Sequence, residues 1–367
     1  KAGPVIEVEE GGEAARYRVD RVEEAGARVL EAQRVEPEAY VAPPDDDDET
    51  SLWTGFAAAA PLEVVFLDLP LLTGDEVEHA PHLAAYGAPW PGSAAVYKSP
   101  DGNGYLLSGL LDAPAVMGEL VNDLPAAAPG LYDRGPAVEV KLYGGALASV
   151  TEVALLSGAN AAAVGDGDTW EVFQFREADI VGEDTYALSM RLRGQAGTDG
   201  VMPDVWPAGS RFVLLSVGLS QPDFAATERG LSRVWRVGPS TKPVDDDVYG
   251  EETRTFDGVG LRPYAPVHFA VSEDAGGHTV TWVRRTRVDG DNWAGLDVPL
   301  GETSEAYFVR VVDAGAVVRE ETVSAPSWTY PATERAADGV TGAFTVEGAQ
   351  ISDRFGPGAY GKVDINE

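Results

Sequence analysis

The chain has 367 residues, no cysteine, and 60 acidic against 27 basic residues, for a formal net charge of −33. Its length predicts two or three domains with ordinary hydrophobic cores, and the lack of cysteine excludes disulfides and thiolate metal sites. The acidic field repels phosphate backbones and anionic lipid, which argues against nucleic acid and membrane surfaces as partners.

At the N-terminus, Glu7, Glu9 and Glu10 stand where a signal peptide needs an apolar core. Together with the start at Lys1, this leads us to expect a piece of a longer polypeptide with no secretory leader. The first expected strand runs from Ala15 to Val22, where Tyr17 and Val19 alternate with charged residues as a period-2 ribbon requires. The run Pro43-Pro44-Asp45-Asp46-Asp47-Asp48-Glu49 cannot fold on itself, because like charges repel and proline donates no hydrogen bond. It reads as an acidic linker closing a first β segment, residues 1–50, that continues a preceding domain.

Residues 51–245 read as one or more β-rich domains. The most apolar stretch, residues 56–72, is broken by Pro61, Glu63, Asp68 and Pro70 and falls short of the ~20 residues needed to span a bilayer. Short helices are expected over Glu76 to Tyr86 and Ala113 to Leu120. Strands are expected at Val138 to Tyr143 and Phe308 to Val312, where apolar residues recur at every second position. The 42 glycines and 25 prolines mostly separate short apolar stretches, the punctuation of many strands joined by turns. The fold class is therefore all-β, with several sandwich-like or barrel-like domains in tandem. A second acidic run, Asp245-Asp246-Asp247, suggests a boundary before a last domain, residues 246–367.

Few residues offer chemistry. His79 and His82 lie three apart near Glu76 and Glu78, but no H-E-x-x-H pattern accompanies them, and a solvated turn before Pro81 fits better than zinc. No nucleophile elbow, phosphate loop or dinucleotide fingerprint occurs. Sixty acids guarantee chance carboxylate pairs, and nothing selects one as a glycosidase pair. We expect no enzyme, no catalytic residue, no metal and no cofactor.

Two loops, Gly165 to Glu171 and Val288 to Trp293, set Asp beside Gly. Oxygen ligands for calcium are conceivable there, but Asp-Gly is foremost a hairpin turn signal. The second loop lengthens the connection after Trp282 and carries an aromatic. Asp289, Asp291, Asn292 and Trp293 are therefore the candidate binding residues, on a tip expected to project from one end of a sandwich. Trp90, between Pro89 and Pro91, reads as a buried anchor in preference to a sugar-stacking platform.

Pro263 to Val267, Trp282 in a β-rich stretch, Tyr307 to Val311, Trp328 to Tyr330 and Phe344 to Gln350 resemble the successive strands of a fibronectin type III domain. A larger set comes in order along the chain. It comprises Asp68 to Leu72, Ala88 to Gly92, Gly158 to Asn160, Trp170 to Phe175, Leu192 to Asp199, Leu261 to Val267, Trp282 to Arg287 and Ser352 to Gly358. Together these resemble the C-terminal half of the large baseplate "megatron", or host-specificity protein, of gene transfer agents and related long-tailed phages. That resemblance implies a virion component at the tail tip, assembled in the host cytoplasm. It further implies a homotrimer that contacts other baseplate hub and tail-fibre proteins and takes part in host attachment or envelope penetration, with a cell-surface receptor or glycan as a further partner. The alternative from composition is a secreted carbohydrate-active or glycan-binding protein with a fibronectin-like module.

Overall fold

The computed structural model describes residues 4–11, 13–24, 26–35, 60–216, 218–290 and 298–366. The first acidic run lies outside these residues. The chain forms two units, residues 1–58 and 59–367.

In the first unit, β1 (Val5–Glu10), β2 (Glu13–Glu24) and β3 (Arg28–Arg34) make an antiparallel meander in that order. The expected alternation at Tyr17 and Val19 is present in β2, which carries a bulge between Val19 and Arg21.

The second unit begins with β4 (Glu63–Leu67), β5 (His82–Tyr86), β6 (Ala94–Ser99) and β7 (Leu106–Leu111). The next strands are β8 (Met117–Leu120), β9 (Val138–Leu142), β10 (Ala161–Gly165), β11 (Trp170–Gly182), β12 (Thr185–Gln195) and β13 (Arg211–Leu214). These six pair antiparallel around a closed circuit, β12-β9-β8-β13-β10-β11 and back to β12. Closure leaves the barrel no free edge. Phe173, Phe175 and Phe212 fill its interior with Val140, Val164 and Leu188.

After the barrel the chain returns as β14 (Arg233–Pro239) and β15 (Gly250–Arg254), which extend the sheet of β6 and β7 in the order β15-β14-β6-β7. The barrel is therefore an insertion within a sandwich whose halves lie before residue 112 and after residue 218. The core of that sandwich unites Phe66, Leu83 and Val96 from the first half with Phe224, Trp235 and Phe256 from the second. The second acidic run joins β14 to β15 within one sheet, so the boundary expected at residue 245 falls inside this sandwich.

The segments expected to be helical are turns leading into strands, β5 at His82–Tyr86 and β8 at Met117–Leu120. Leu83 and Ala85 face the sandwich core while Ala84, with Val65 and Leu67 of β4, packs on the barrel. Burial on both faces removes the polar positions that reveal a period, and Pro81 and Gly87 bracket a stretch only five residues long. In the other segment, Gly118 lies so close to Lys141 that an added Cβ would stand 2.1 Å from its carbonyl oxygen, a strand contact only glycine permits. Among the described residues the two α-helices are α1 (Glu152–Leu156), capped by the Thr151 hydroxyl, and α2 (Ala332–Asp338), closed by Gly339 at φ 76°.

The last domain is the expected fibronectin type III-like sandwich. Its strands are β16 (Val267–Asp274), β17 (Gly277–Val283), β18 (Tyr307–Asp313), β19 (Ala316–Val323), β20 (Ser327–Pro331), β21 (Phe344–Ser352) and β22 (Gly361–Ile365). Sheet β16-β17-β20 faces sheet β19-β18-β21-β22, the three-plus-four division of that fold. Trp282 is the core tryptophan, stacked on Phe269 at 5.6 Å and edge-on to Tyr307 at 5.2 Å. Trp90 packs against the core of the first sandwich, as an anchor would.

His82 is buried in β5, and its Nδ1 has no hydrogen-bond partner. Burial pushes the ring below its ordinary pKa, against a smaller opposing pull from Glu76. The fold therefore holds His82 neutral while the unfolded chain protonates it near pH 6.5. This contribution to stability is complete above that pH and is lost as pH falls below it. Urea midpoints from pH 7.5 to 5 should drop more steeply for the wild type than for His82→Gln.

Candidate functional site

The segment after β4 is polar and turn-forming, and its own side chains shape it. The Glu76 carboxylate accepts the Thr73 N–H, the Thr73 hydroxyl and the Gly74 N–H, each at 2.9 Å. Partial burial raises the Glu76 pKa, but these donors and its own N–H together hold it below the ordinary value, so it stays ionised. Gln221 pins the next residues by accepting from Val77 N–H at 2.8 Å and donating to the Val77 and Ala80 carbonyls. His79 Nε2 lies 3.0 Å from the Phe224 carbonyl oxygen.

This segment is one wall of a cleft of about 1430 Å³. Leu156 to Gly158 at the end of α1, with Val172, Gln174 and Gln195 on the barrel, form the second wall. Gln174 holds the α1 turn in place, donating to the Leu155 and Ala159 carbonyls at 2.8 Å each. The third wall is Thr286 to Gly290 of the fibronectin-like sandwich, with Arg354.

Asp289 is thus a cleft residue, exposed, with its backbone in the left-handed region at φ 50°. Asp291, Asn292 and Trp293 lie outside the described residues. The tip was expected to project from one end of the sandwich; the described part of the connection before it is clamped to the rest of the unit. Arg285 Nη1 donates to both Asp199 oxygens at 2.9 and 2.8 Å, and its guanidinium lies 5.2 Å from the Tyr264 ring centroid. Arg287 bonds Glu78 and Glu302 at 3.2 Å each and the Gly260 carbonyl at 3.3 Å. Arg354 closes the rim on the other Glu78 oxygen. Three arginines within four residues were the available signal in a chain so poor in cations, each needing a fixed anion or carbonyl.

These contacts differ in weight. The Arg287 and Glu302 side chains are only 6 % and 3 % exposed, so neither charge is solvated without the other. The Arg354–Glu78 pair is 48 % and 30 % exposed, and solvent screens it. Arg354→Ala should therefore lower stability by less than about 1 kcal/mol in denaturant unfolding.

A smaller cavity of about 320 Å³ lies where the first sandwich meets the linker to the last domain, bordered by Asp68, Arg254 and Arg262. Asp68 accepts backbone N–H groups from Asp257, Gly258 and Val259 at 2.8, 3.0 and 2.7 Å. Burial nevertheless pushes its carboxyl pKa up. The Gly165 to Glu171 loop is a hairpin turn in which Asp166 accepts the Asp168 and Thr169 N–H groups, while Asp168 reaches Arg254 at 3.2 Å. Among the described residues, no three His, Asp or Glu side chains converge as metal ligands, and no helix is long and apolar enough to cross a membrane.

The strings quoted for the phage-type resemblance meet one another in space. Glu171 pairs with Arg193 inside the barrel, Asp199 with Arg285, and Asp68 with the turn preceding Leu261. Gly197, at φ 77°, leaves no room for a Cβ beside the Tyr264 ring, and Gly358 packs against Pro263. Chemically these residues act as joints. In the larger cleft the Glu76 carboxyl is held below its ordinary pKa and stays ionised.

Residues 115–213 match the family described as "Rcc01698-like, C-terminal". The match covers the barrel almost strand for strand and about a quarter of the chain. No curated protein matches. Among solved structures, the chain is similar to the FN1–FN3 domains of chicken CNTN1 at 10 % identity, covering 84 % of this chain and 99 % of that one with a TM-score of 0.20. It is also similar to the glycoside hydrolase domain of Endo-D from Streptococcus pneumoniae R6 at 11 % identity, covering 68 % of this chain and 32 % of that one with a TM-score of 0.18. Superposition this loose carries no argument about the chain's fold or activity.

Proposed function

We propose that this chain is a structural part of the tail tip or baseplate of a gene transfer agent or related long-tailed phage, acting in host attachment or envelope penetration. The observation that carries the reading is the family match over the barrel, residues 115–213, since that family is linked to gene-transfer-agent proteins. The ordered strings on either side of the barrel support it, because they supply the residues that join barrel, first sandwich and fibronectin-like sandwich. A scaffold that transmits force or holds a receptor-binding surface needs such fixed joints. On this reading the assembled protein is a homotrimer beside other hub and fibre proteins, and the cleft containing Asp289 is its binding surface. The chain performs no catalysis.

The test is imaging of intact particles with an antibody raised against the fibronectin-like sandwich. Label at the distal end of the tail is expected. Its absence from purified particles, or label confined to the head, would reject the proposal. The carbohydrate-active alternative calls for saccharide turnover, so hydrolysis on a glycan panel would favour it.

A further inference from the structure

The cavity of about 320 Å³ is walled by three pieces of chain. The turn from Gly167 to Trp170 comes from the barrel, Asp68 and Arg254 from the first sandwich, Arg262 from its linker, and Phe355 from the fibronectin-like sandwich. The acceptors of this wall are engaged. Asp68 turns both carboxylate oxygens to the Asp257, Gly258 and Val259 N–H groups. Asp168 gives Oδ1 to Arg254 at 3.2 Å.

Its donors are not. Arg262 is half-buried and makes no hydrogen bond or ion pair with any described residue. Trp170 is only 3 % exposed, and its Nε1–H has no hydrogen-bond partner. The Thr169 hydroxyl is without a partner too. Arginine stays charged, so a guanidinium withdrawn from water with no anion in contact is destabilising. Burial pushes Arg262 below its ordinary pKa, while Asp68 and Asp257 pull back without forming an ion pair. Asp68 is held by the backbone and Asp257 is exposed, so neither acid completes the contact.

We propose that this cavity binds a small hydroxy acid of sugar-acid size, its carboxylate held by the Arg262 guanidinium. A planar guanidinium with all its N–H groups free matches a carboxylate in two parallel bonds. A metal cation is the poorer fit, because the lining acids do not converge as metal ligands. The volume equals the share of roughly ten waters at about 30 Å³ each, room for about a dozen heavy atoms and far more than a bare carboxylate fills. Asp168 Oδ2 and the Thr169 hydroxyl are left to bond hydroxyls on the body of the ligand. A net charge of −33 penalises a multiply charged anion more than a single carboxylate. This site is separate from the cleft at Asp289 and does not rest on the tail-tip reading.

The test is isothermal titration of the whole chain with D-glucuronate, D-glucose, acetate and inorganic phosphate. Glucuronate should bind with a Kd in the millimolar range or tighter, ahead of acetate and phosphate, and glucose should not bind. Arg262→Met should weaken glucuronate by about tenfold or more. Arg16→Met removes the same charge from an exposed position in the N-terminal unit and should leave the affinity unchanged. Arg262→Lys keeps the charge and loses the fork, so it should fold normally and weaken binding to an intermediate degree. It decides the matter if the methionine variant fails to fold. Absence of glucuronate binding overturns the proposal, as does equal binding of glucose, acetate or phosphate, or full affinity in the folded Arg262 variants.

Discussion

Arg193→Met should cost about 3–5 kcal/mol of stability, because it strands a charge inside the barrel. Arg193 and Glu171 are both fully buried. Two parallel bonds join them, Nε to Oε1 at 2.7 Å and Nη2 to Oε2 at 2.8 Å. Glu171 also accepts the Gly194 N–H at 3.0 Å and Trp206 Nε1–H at 2.7 Å, and Arg193 donates to the Pro125 carbonyl at 2.7 Å. One ion pair therefore fixes β11, β12, the Trp206 segment and the chain at Pro125. Removing the cation leaves the anion with two donors and no opposing charge. The double substitution Arg193→Met with Glu171→Leu should recover part of the loss, since neither charge of this pair is then buried, although Trp206 Nε1 loses its acceptor. Asp133, 3.5 Å from Arg193, then keeps only Arg191 as its cation. Urea unfolding of the three proteins measures both effects, and a loss below about 1 kcal/mol for Arg193→Met would contradict the assignment.

Trp235→Ala is expected to cost a similar amount, about 3–5 kcal/mol. Trp235 is fully buried, with ring centroids of Phe66, Phe224 and Phe256 at 5.3, 6.4 and 6.0 Å. Phe66 precedes the barrel in sequence, and the other three aromatics follow it. The cavity therefore opens where the interrupted halves of the sandwich meet, and no local rearrangement can fill it from one side. Trp90, half-buried at the margin of the same core, should cost clearly less when cut to alanine. Equal losses at the two positions would mean that the halves do not share one core.

What could be read from residues was local. Alternation at Tyr17 and Val19, at Val138 to Leu142 and at Tyr307 to Val311 is visible because each of these strands presents one polar or half-buried side. The fibronectin-like sandwich was legible through Trp282, Tyr307 and Trp328 because large aromatics at regular strand spacing carry that core. β5 was misread because both of its faces are covered. Helix α2 was overlooked although Pro331, an alanine-rich turn and Gly339 mark its start and stop. The insertion of the barrel into the first sandwich had no local sign at all. It depends on contacts such as Asp68 to Val259, 191 residues apart, and on strands paired across the whole barrel. Of the candidate binding loop, Asp289 was placed on the cleft by the structure, whereas the clamp beside it rests on Asp199, Glu78 and Glu302. Those partners lie far away or in other loops, and a spacing pattern cannot name them.

Calorimetry of the wild-type chain and Asp199→Ala tests most directly whether these joints make one scaffold of residues 60–366. The Arg285–Asp199 pair is mostly shielded from solvent, with charge-assisted bonds worth about 1.5–3 kcal/mol. We predict a single cooperative transition for the wild type and, in Asp199→Ala, an earlier, separate melting of the fibronectin-like sandwich. A wild-type trace in which that sandwich already melts independently, at a temperature Asp199→Ala leaves unchanged, would contradict the account.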